Sequence, residues 1–269
     1  MVKRIMIILA VFVFCISIVG IIATESKNKA KMASNTSIVL SNSPKSWGFK
    51  KIKGARPEFA KEYIEPIERY DGRYVGKDTD KYIYLTFDQG YENGHTPRIL
   101  DVLKKEKVPA AFFVTGDYVK RNEDLVKRMA SEGHIIGNHT NNHPSMPAIL
   151  SDDKLKEEIL SLNKMVHDIC DINMVYFRPP AGEFSDRTLK ITNDVGLKTV
   201  FWSFAYVDWE RDQIRGEQYA YNAITPYFHN GEIILLHAVS KDNADALERV
   251  ILNAKECGYT FKTLDDLYK

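Results

Sequence analysis

From Lys81 onward the apolar residues fall into two alternating rhythms. Short runs rich in β-branched and aromatic side chains occur at residues 82–87, 110–114, 135–136, 175–178, 198–204, 233–237 and 259–262, and they have strand length. Between them the apolar positions recur every three or four residues, as a helix with one buried face requires. Ile99, Val102 and Leu103 form one such set; Leu155, Ile159, Leu162, Val166 and Ile169 form the longest. The spacing predicts a helix opening at Pro97 and capped by Thr96, and further helices over about 122–132, 152–170 and 217–228. Ser185 caps another helix that ends at Gly196, and a last helix ends at Gly258. Gly133, Gly196 and Gly258 each stand between a helix and a strand, which suits a left-handed C-terminal cap. Regular alternation of strand and helix predicts a parallel α/β fold, closed as a barrel or open.

Upstream of Lys81 the pattern changes. After Lys3-Arg4, residues 5–23 hold no charge and are rich in Ile, Val and Phe, close to the roughly 20 residues that span a bilayer. The positive flank would stay in the cytoplasm and send the remainder outside. A cleaved signal peptide is the other reading, although its apolar core is normally shorter and Ile21-Ile22-Ala23 is a poor cleavage site. Residues 1–23 are therefore an anchor or a signal, and both export the chain. Cys15 reads as one more apolar residue of that run. Residues 24–46, mostly Lys, Asn and Ser, read as a flexible tether. Residues 47–80 carry Trp47, Phe49 and Arg56-Pro57 but too little apolar surface for a core. They read as an arm packed on the domain of residues 81–269. An apolar fraction of 44% is ordinary for a globular chain, and a net charge of +1 gives no electrostatic basis for binding nucleic acid. Cys170 and Cys257 leave a disulfide and two small buried thiols both open.

Residues able to do chemistry cluster where the strand runs end. They are Asp88-Gln89-Gly90; His139 and His143; Arg178-Pro179-Pro180-Ala181-Gly182; Asp208-Trp209; and His237 after Leu235-Leu236. Barrel folds place their active sites at these ends. One turn of helix would put the two imidazoles on one face, where two neutral nitrogens can hold a divalent ion. Taken alone, such a pair is more often an ordinary surface feature. A carboxylate closing a strand can cap a helix, but Thr96 and Pro97 already begin the next one, so Asp88 points to function. Glu92 and Asn93 are open between a turn and a sugar contact, and Glu183 is undecided.

In this order the segments resemble the five motifs of the polysaccharide deacetylase domain of the NodB-homology type, carbohydrate esterase family 4. The likeness spans residues 81–269. Within it, residues 88–94 and 178–185 look most like the muramic acid deacetylases of spore-forming bacteria, which act in forming the muramic δ-lactam of cortex peptidoglycan. The resemblance implies a distorted (β/α) barrel of about seven strands and a hydrolase that removes an N-acetyl group. Such hydrolysis needs an activated water, an electrophile on the carbonyl and an acid for the departing amine. The resemblance assigns Asp88 as general base, Arg178 as its orienting partner, His237 as general acid and Asp208 as the partner of His237. It assigns His139 and His143 as ligands of a divalent metal, zinc being the expected ion. It makes Trp209 a wall of the acetyl pocket, Gly182 and the Ala181 N–H an oxyanion hole, and Glu92 and Asn93 contacts to the sugar. The implied partner is the glycan strand of peptidoglycan, met by a monomer outside the cytoplasmic membrane or in the forespore cortex.

Two departures qualify that picture. Gln89 stands where most of the family has a metal-binding aspartate, which lowers the expected metal affinity and leaves the ion's identity open. The family's Asp-x-x-Asp-Trp motif reads Ala205-Tyr206-Val207-Asp208-Trp209. The muramic acid subgroup shares the first departure. Two competing readings follow: a deacetylase of N-acetylglucosamine in the wall or of another acetylated glycan, and a domain that binds wall glycan without turning it over. Asp88, Arg178, Asp208 and His237 together argue against the second, since binding needs neither a base nor an acid.

Overall fold

Strands β1 (Lys45–Ser46), β2 (Lys50–Ile52) and β3 (Ala55–Glu58) and helix α1 (Lys61–Arg69) precede the first long strand, β4 (Tyr82–Gln89). Then follow α2 (Thr96–Glu106), β5 (Ala110–Val114), α3 (Gly116–Arg121), α4 (Glu123–Ser131), β6 (Ile135–Asn138) and α5 (Asp152–Cys170). The remainder is β7 (Tyr176–Phe177), β8 (Glu183–Phe184), α6 (Asp186–Asp194), β9 (Lys198–Thr199), α7 (Glu217–Ile224), β10 (Glu232–His237), α8 (Lys241–Glu256), β11 (Thr260–Phe261) and α9 (Leu264–Leu267). This is a computed structural model, and it describes residues 40–269. The anchor or signal expected at residues 1–23, and most of the expected tether, lie outside the described residues.

Seven strands form one parallel sheet in the order β10-β4-β5-β6-β7-β9, with β11 joined to the start of β4. The sheet curls until the chain leaving β9 meets β10. There the N–H groups of Ser203 and Phe204 donate to Ile233 O, and Leu235 N–H donates to Phe204 O (2.9 Å). The result is the distorted (β/α) barrel of about seven strands that the sequence predicts. The expected strand over residues 198–204 is thus two short pairings, because the segment must leave β7 and reach β10 on the other side of the ring.

The period of two along β4 and β10 sets the layers. Leu85 and Phe87 of β4, with Ile234 and Leu236 of β10, face the core between sheet and helices. Tyr84 pairs with Ile233 inside the ring, Thr86 with Leu235 above them, and Asp88 with His237 at the C-terminal rim. Serines start the helices as expected of good caps: Ser151 accepts from Lys154 N–H, and Ser185 forms a reciprocal capping box with Thr188. Gly133, Gly196 and Gly258 have φ of 83°, 85° and 83°, the left-handed values a helix stop before a strand requires. Two element predictions differ. Thr96 is the first residue of α2 and does not cap it; the cap comes from Glu92, described below. The helix expected over 217–228 ends at Ile224 and continues as a 3₁₀ turn over Thr225–Tyr227, since Pro226 has no N–H to give.

Residues Ser41–Lys269 form one compact unit. The tether expected to reach residue 46 is therefore shorter. Asn42 donates to Pro147 O (2.9 Å) and accepts from Ser185 Oγ, and β1 pairs antiparallel with β8. Short polar side chains there find backbone partners instead of water. Trp47 is buried among Phe59, Tyr74 and Phe201, with its indole N–H donating to Trp202 O (2.9 Å). Cys170 and Cys257 are both free, the second exposed, so no disulfide links them. Among the described residues no helix is long and apolar enough to cross a membrane.

Trp47→Ala should lower the free energy of unfolding by about 3–5 kcal/mol, the usual cost of truncating a buried large aromatic. Denaturant titration checks this. A loss below about 1 kcal/mol would mean that the arm is dispensable to the barrel.

Candidate active site

Arg178 leaves β7 and enters the ring, where it is completely buried. Its guanidinium lies 4.1 Å from the centre of the Phe113 ring. From Nη1 it donates to Asp88 Oδ1 (2.8 Å) and Thr86 Oγ1 (2.9 Å). From Nε it donates to Val200 O (3.0 Å), and from Nη2 to Phe201 O (3.2 Å). A lysine has neither the reach nor the planar fork to serve four such acceptors. Burial alone would raise the pKa of Asp88, but the positive charge of Arg178, with the imidazoles of His139 and His237 adding to it, outweighs burial and holds the carboxyl below its usual range. Asp88 is therefore an ionised carboxylate in a site largely closed to water, a group able to accept a proton.

His139 and His143 meet Asp88 from the next loop. His139 Nε2 is 3.6 Å from Asp88 Oδ2, and the two imidazole rings are 4.9 Å apart. The expected turn of helix is absent. β6 ends at Asn138, and a tight loop follows in which Thr140 and His143 take φ of 67° and 58°. Local side chains draw the backbone away from a helix: Thr140 N–H donates to Asn138 Oδ1 (2.8 Å) and His143 N–H to Thr140 Oγ1 (2.9 Å). Asn138 is itself anchored on α5 through Ile159 O and Asn163. Burial pushes the His139 pKa down to about 4 against the opposing charge of Asp88, and burial likewise lowers His143. Both rings are neutral near pH 7. His139 Nδ1 is bonded to Arg178 O (2.8 Å), which leaves Nε2 free as a lone-pair donor. Two neutral imidazoles beside a carboxylate, with the distal nitrogen of one fixed by a carbonyl, are donor types that a divalent ion takes, although among the described residues no cluster of three or more ligating side chains is drawn together to hold one.

Opposite Asp88, at the end of β10, His237 Nδ1 bonds Asp208 Oδ1 (2.7 Å), and the His237 backbone N–H donates to Asp208 Oδ2 (2.8 Å). Burial works to lower the His237 pKa, yet the Asp208 charge and its hydrogen bond win, and the net shift is upward. Its remaining nitrogen can carry a proton into the cleft. Asn243 at the start of α8 donates to Asp208 Oδ2 (2.6 Å) and to His237 O (3.2 Å). No sequence pattern singled out Asn243. The only signal was its place three residues after the helix-capping Ser240.

The cleft above these groups has a volume of about 810 Å³. Asp88, His139, His143, Ala181, Trp209 and His237 all line it. Trp209 is half exposed, with its ring 5.6 Å from that of His237. Tyr91, Asn141, Asn142 and Trp202 also line it, and sequence reasoning assigned none of them a role. Arg178 and Asp208 lie behind the cleft wall and reach it through Asp88 and His237, and Glu92, Asn93, Gly182 and Gln89 do not border it either. Glu92 accepts from the N–H groups of Gly94 and Thr96 and bonds the hydroxyls of Thr96 and Tyr118, so its carboxylate caps α2. Asn93 donates to Val239 O (3.0 Å) and ties two loops together. Gly182 spends its N–H on Pro179 O and lies beneath Trp202 and Trp47, which leaves Ala181 alone of that pair at the cleft. Gln89, on the opposite face of β4 from Asp88, is fully buried with Nε2 3.5 Å from Thr96 Oγ1 and Oε1 without a partner. Its amide does not stand in for the missing metal-binding carboxylate.

Comparison with known proteins gives a consistent result. A family model described as polysaccharide deacetylase matches residues 75–200. The chain is 48% identical to the peptidoglycan-N-acetylmuramic acid deacetylase PdaA of Bacillus subtilis, over 84% of this chain and 86% of that protein. The solved structure of PdaA, a family 4 carbohydrate esterase, superposes with a TM-score of 0.83 at 47% identity, covering 85% of this chain and 98% of that one. A family 4 carbohydrate esterase from Bacillus anthracis gives a TM-score of 0.74 at 44% identity, covering 86% of this chain and 99% of that one. A peptidoglycan-N-acetylglucosamine deacetylase of Bacillus cereus is 31% identical over 76% of this chain and 74% of that protein.

Arg178→Met should destabilise the fold by about 3–5 kcal/mol, because it leaves the buried Asp88 charge without its partner. Adding Asp88→Asn should recover part of that loss. A double-mutant cycle in denaturant checks both, and strictly additive losses would show that the pair is not coupled.

Proposed function

The chain belongs to the polysaccharide deacetylase family, and we propose that it removes the N-acetyl group from muramic acid in peptidoglycan. The observation that carries the chemistry is two charge pairs side by side at one rim of the cleft. Arg178 favours the ionised form of Asp88, and Asp208 favours the protonated form of His237. A base and an acid whose pKa values are driven apart by their surroundings are what amide hydrolysis asks for near neutral pH. Asp88 takes a proton from the attacking water, and His237 delivers one to the nitrogen of the departing amine. Asp208 holds the imidazole in place, and Arg178 does the same for Asp88. A divalent ion, zinc by the nature of its donors, would be held by His139 and His143 and would polarise the acetyl oxygen. Trp209 shapes the wall against which the acetyl group rests, and the Ala181 backbone faces the carbonyl.

The choice of sugar is supported by the identity of 48% to a muramic acid deacetylase against 31% to a glucosamine deacetylase. The motif resemblance over residues 88–94 and 178–185 supports a place in making the muramic δ-lactam of spore cortex. Export outside the cytoplasmic membrane is supported by the uncharged run at residues 5–23. Mass spectrometry of defined glycans after incubation with the enzyme tests the reading. Loss of one acetyl from muramic acid residues is expected, and loss from glucosamine alone would replace muramic acid by the second sugar.

Asp88→Asn should abolish turnover, since the amide keeps the shape but cannot accept the proton, and should also lower the unfolding midpoint, because it leaves the buried Arg178 charge unpaired. Turnover near that of the unaltered enzyme would remove Asp88 from the base role. The raised pKa of His237 means that the acid stays charged to higher pH than a free imidazole, so it sets the alkaline limb of a bell-shaped profile. Asp208→Asn should move that limb to lower pH by about one unit or more and leave the acid limb in place. The profile of kcat/KM for both proteins on one glycan decides it, and an unmoved alkaline limb would break the His237–Asp208 assignment.

A further inference from the structure

We propose that Arg211 is a specificity-determining residue that binds the carboxylate of the lactyl ether on muramic acid, an inference that rests on the muramic reading above. Muramic acid differs from glucosamine in the lactyl group on O3, which ends in a carboxylate when free and in an amide when a stem peptide is attached. A site that distinguishes the two sugars needs a group that recognises that substituent. The residues lining the cleft include no lysine or arginine, and their two acids, Asp88 and Asp117, are each paired with an arginine of the chain.

Arg211 lies at the rim. Its guanidinium carbon is 4.8 Å from the centre of the Tyr91 ring, and Tyr91 lines the cleft. Arg211 and Trp209 belong to one loop, so that loop gives the cleft a wall and, two residues later, a cation. Among the described residues the Arg211 side chain makes no ion pair or hydrogen bond. By contrast Arg98, Arg121, Arg128, Arg187 and Arg249 are each paired with a carboxylate. Glu210 and Asp212 flank Arg211 in the chain, but neither is within ion-pair distance, and Glu210 borders a separate shallow recess with Tyr206 and Asp242. Stacking on tyrosine fixes the plane of a guanidinium while leaving its N–H donors unused. A planar fork with unused donors matches a carboxylate through two parallel hydrogen bonds.

The test measures binding by calorimetry in the full chain carrying Asp88→Asn, so that no substrate is consumed. Three oligosaccharides of equal length serve as probes: one with the lactyl carboxylate free, one with it amidated, and one built of N-acetylglucosamine alone. Adding Arg211→Gln should weaken binding of the free-carboxylate glycan about tenfold and leave the other two nearly unchanged. The loss should shrink as salt is raised, and Arg211→Lys should restore only part of it. Equal losses on all three glycans, or none on the first, overturn the proposal. Deacetylation rates of the otherwise unaltered enzyme separate the two possible failures. Retained muramic turnover with Arg211→Gln silent sinks Arg211 alone, whereas absent muramic turnover beside active glucosamine turnover sinks both.

Discussion

The contact between the Arg178 guanidinium and the Asp88 carboxylate crosses the inside of the ring from β7 to β4, and the other groups in the cleft are placed relative to it. The same side chain donates to the carbonyls of Val200 and Phe201, where the sheet turns toward its closing seam. The residue's own carbonyl fixes the His139 ring. One residue thereby links the Asp88 carboxylate, the His139 imidazole and the closure of the sheet. The pair adds little net stability, since dehydrating two charges offsets most of their attraction. What it supplies is an arrangement with no cheap alternative, because the buried guanidinium has all four acceptors placed around it.

Around that pair the protein gives one side-chain type two opposite characters. His139 and His237 are imidazoles on neighbouring rims of the same cleft. One is made neutral by burial and keeps a lone pair; the other has its pKa raised by Asp208 against the effect of burial and so holds its proton to higher pH. Position relative to a carboxylate, and what else that carboxylate is bonded to, decides which. Asp88 is already committed to Arg178 and has little pull left for His139. Asp208 has no arginine, and it turns both oxygens to His237 and Asn243.

Much of this was legible in the chain, because the periodicities that build a barrel are local. The helix over Asp152–Cys170 and the strand over Ala110–Val114 are bounded by residues whose capping and side-chain preferences act within a few positions. Residues at strand ends were placed at the cleft for the same reason. What could not be read depends on side-chain direction in loops. Glu92 looked like a sugar contact and is a helix cap, because the next helix opens on Thr96 without a capping side chain of its own. Gln89 was expected to face the metal, yet the strand's alternation turns it to the other side of β4. The histidine pair came together by left-handed backbone at Thr140 and His143, a route that residue spacing does not reveal. Asn243 belongs to the site only because α8 begins where β10 ends.

Asp88 and His237 are direct neighbours in the ladder between β4 and β10, six consecutive pairs in register. The span across which a proton must be taken and another returned is therefore written in backbone geometry. Gaining one residue within either strand would turn one of the two groups out of the ring and bring Phe87 or Leu236 into its place, and losing one would bring Gln89 or Ala238. Changes of length that keep both groups in the ring are thus confined to the connections between strands. The loop carrying Trp209 and Arg211 stands outside that ladder, so its length can change without altering the spacing of Asp88 and His237.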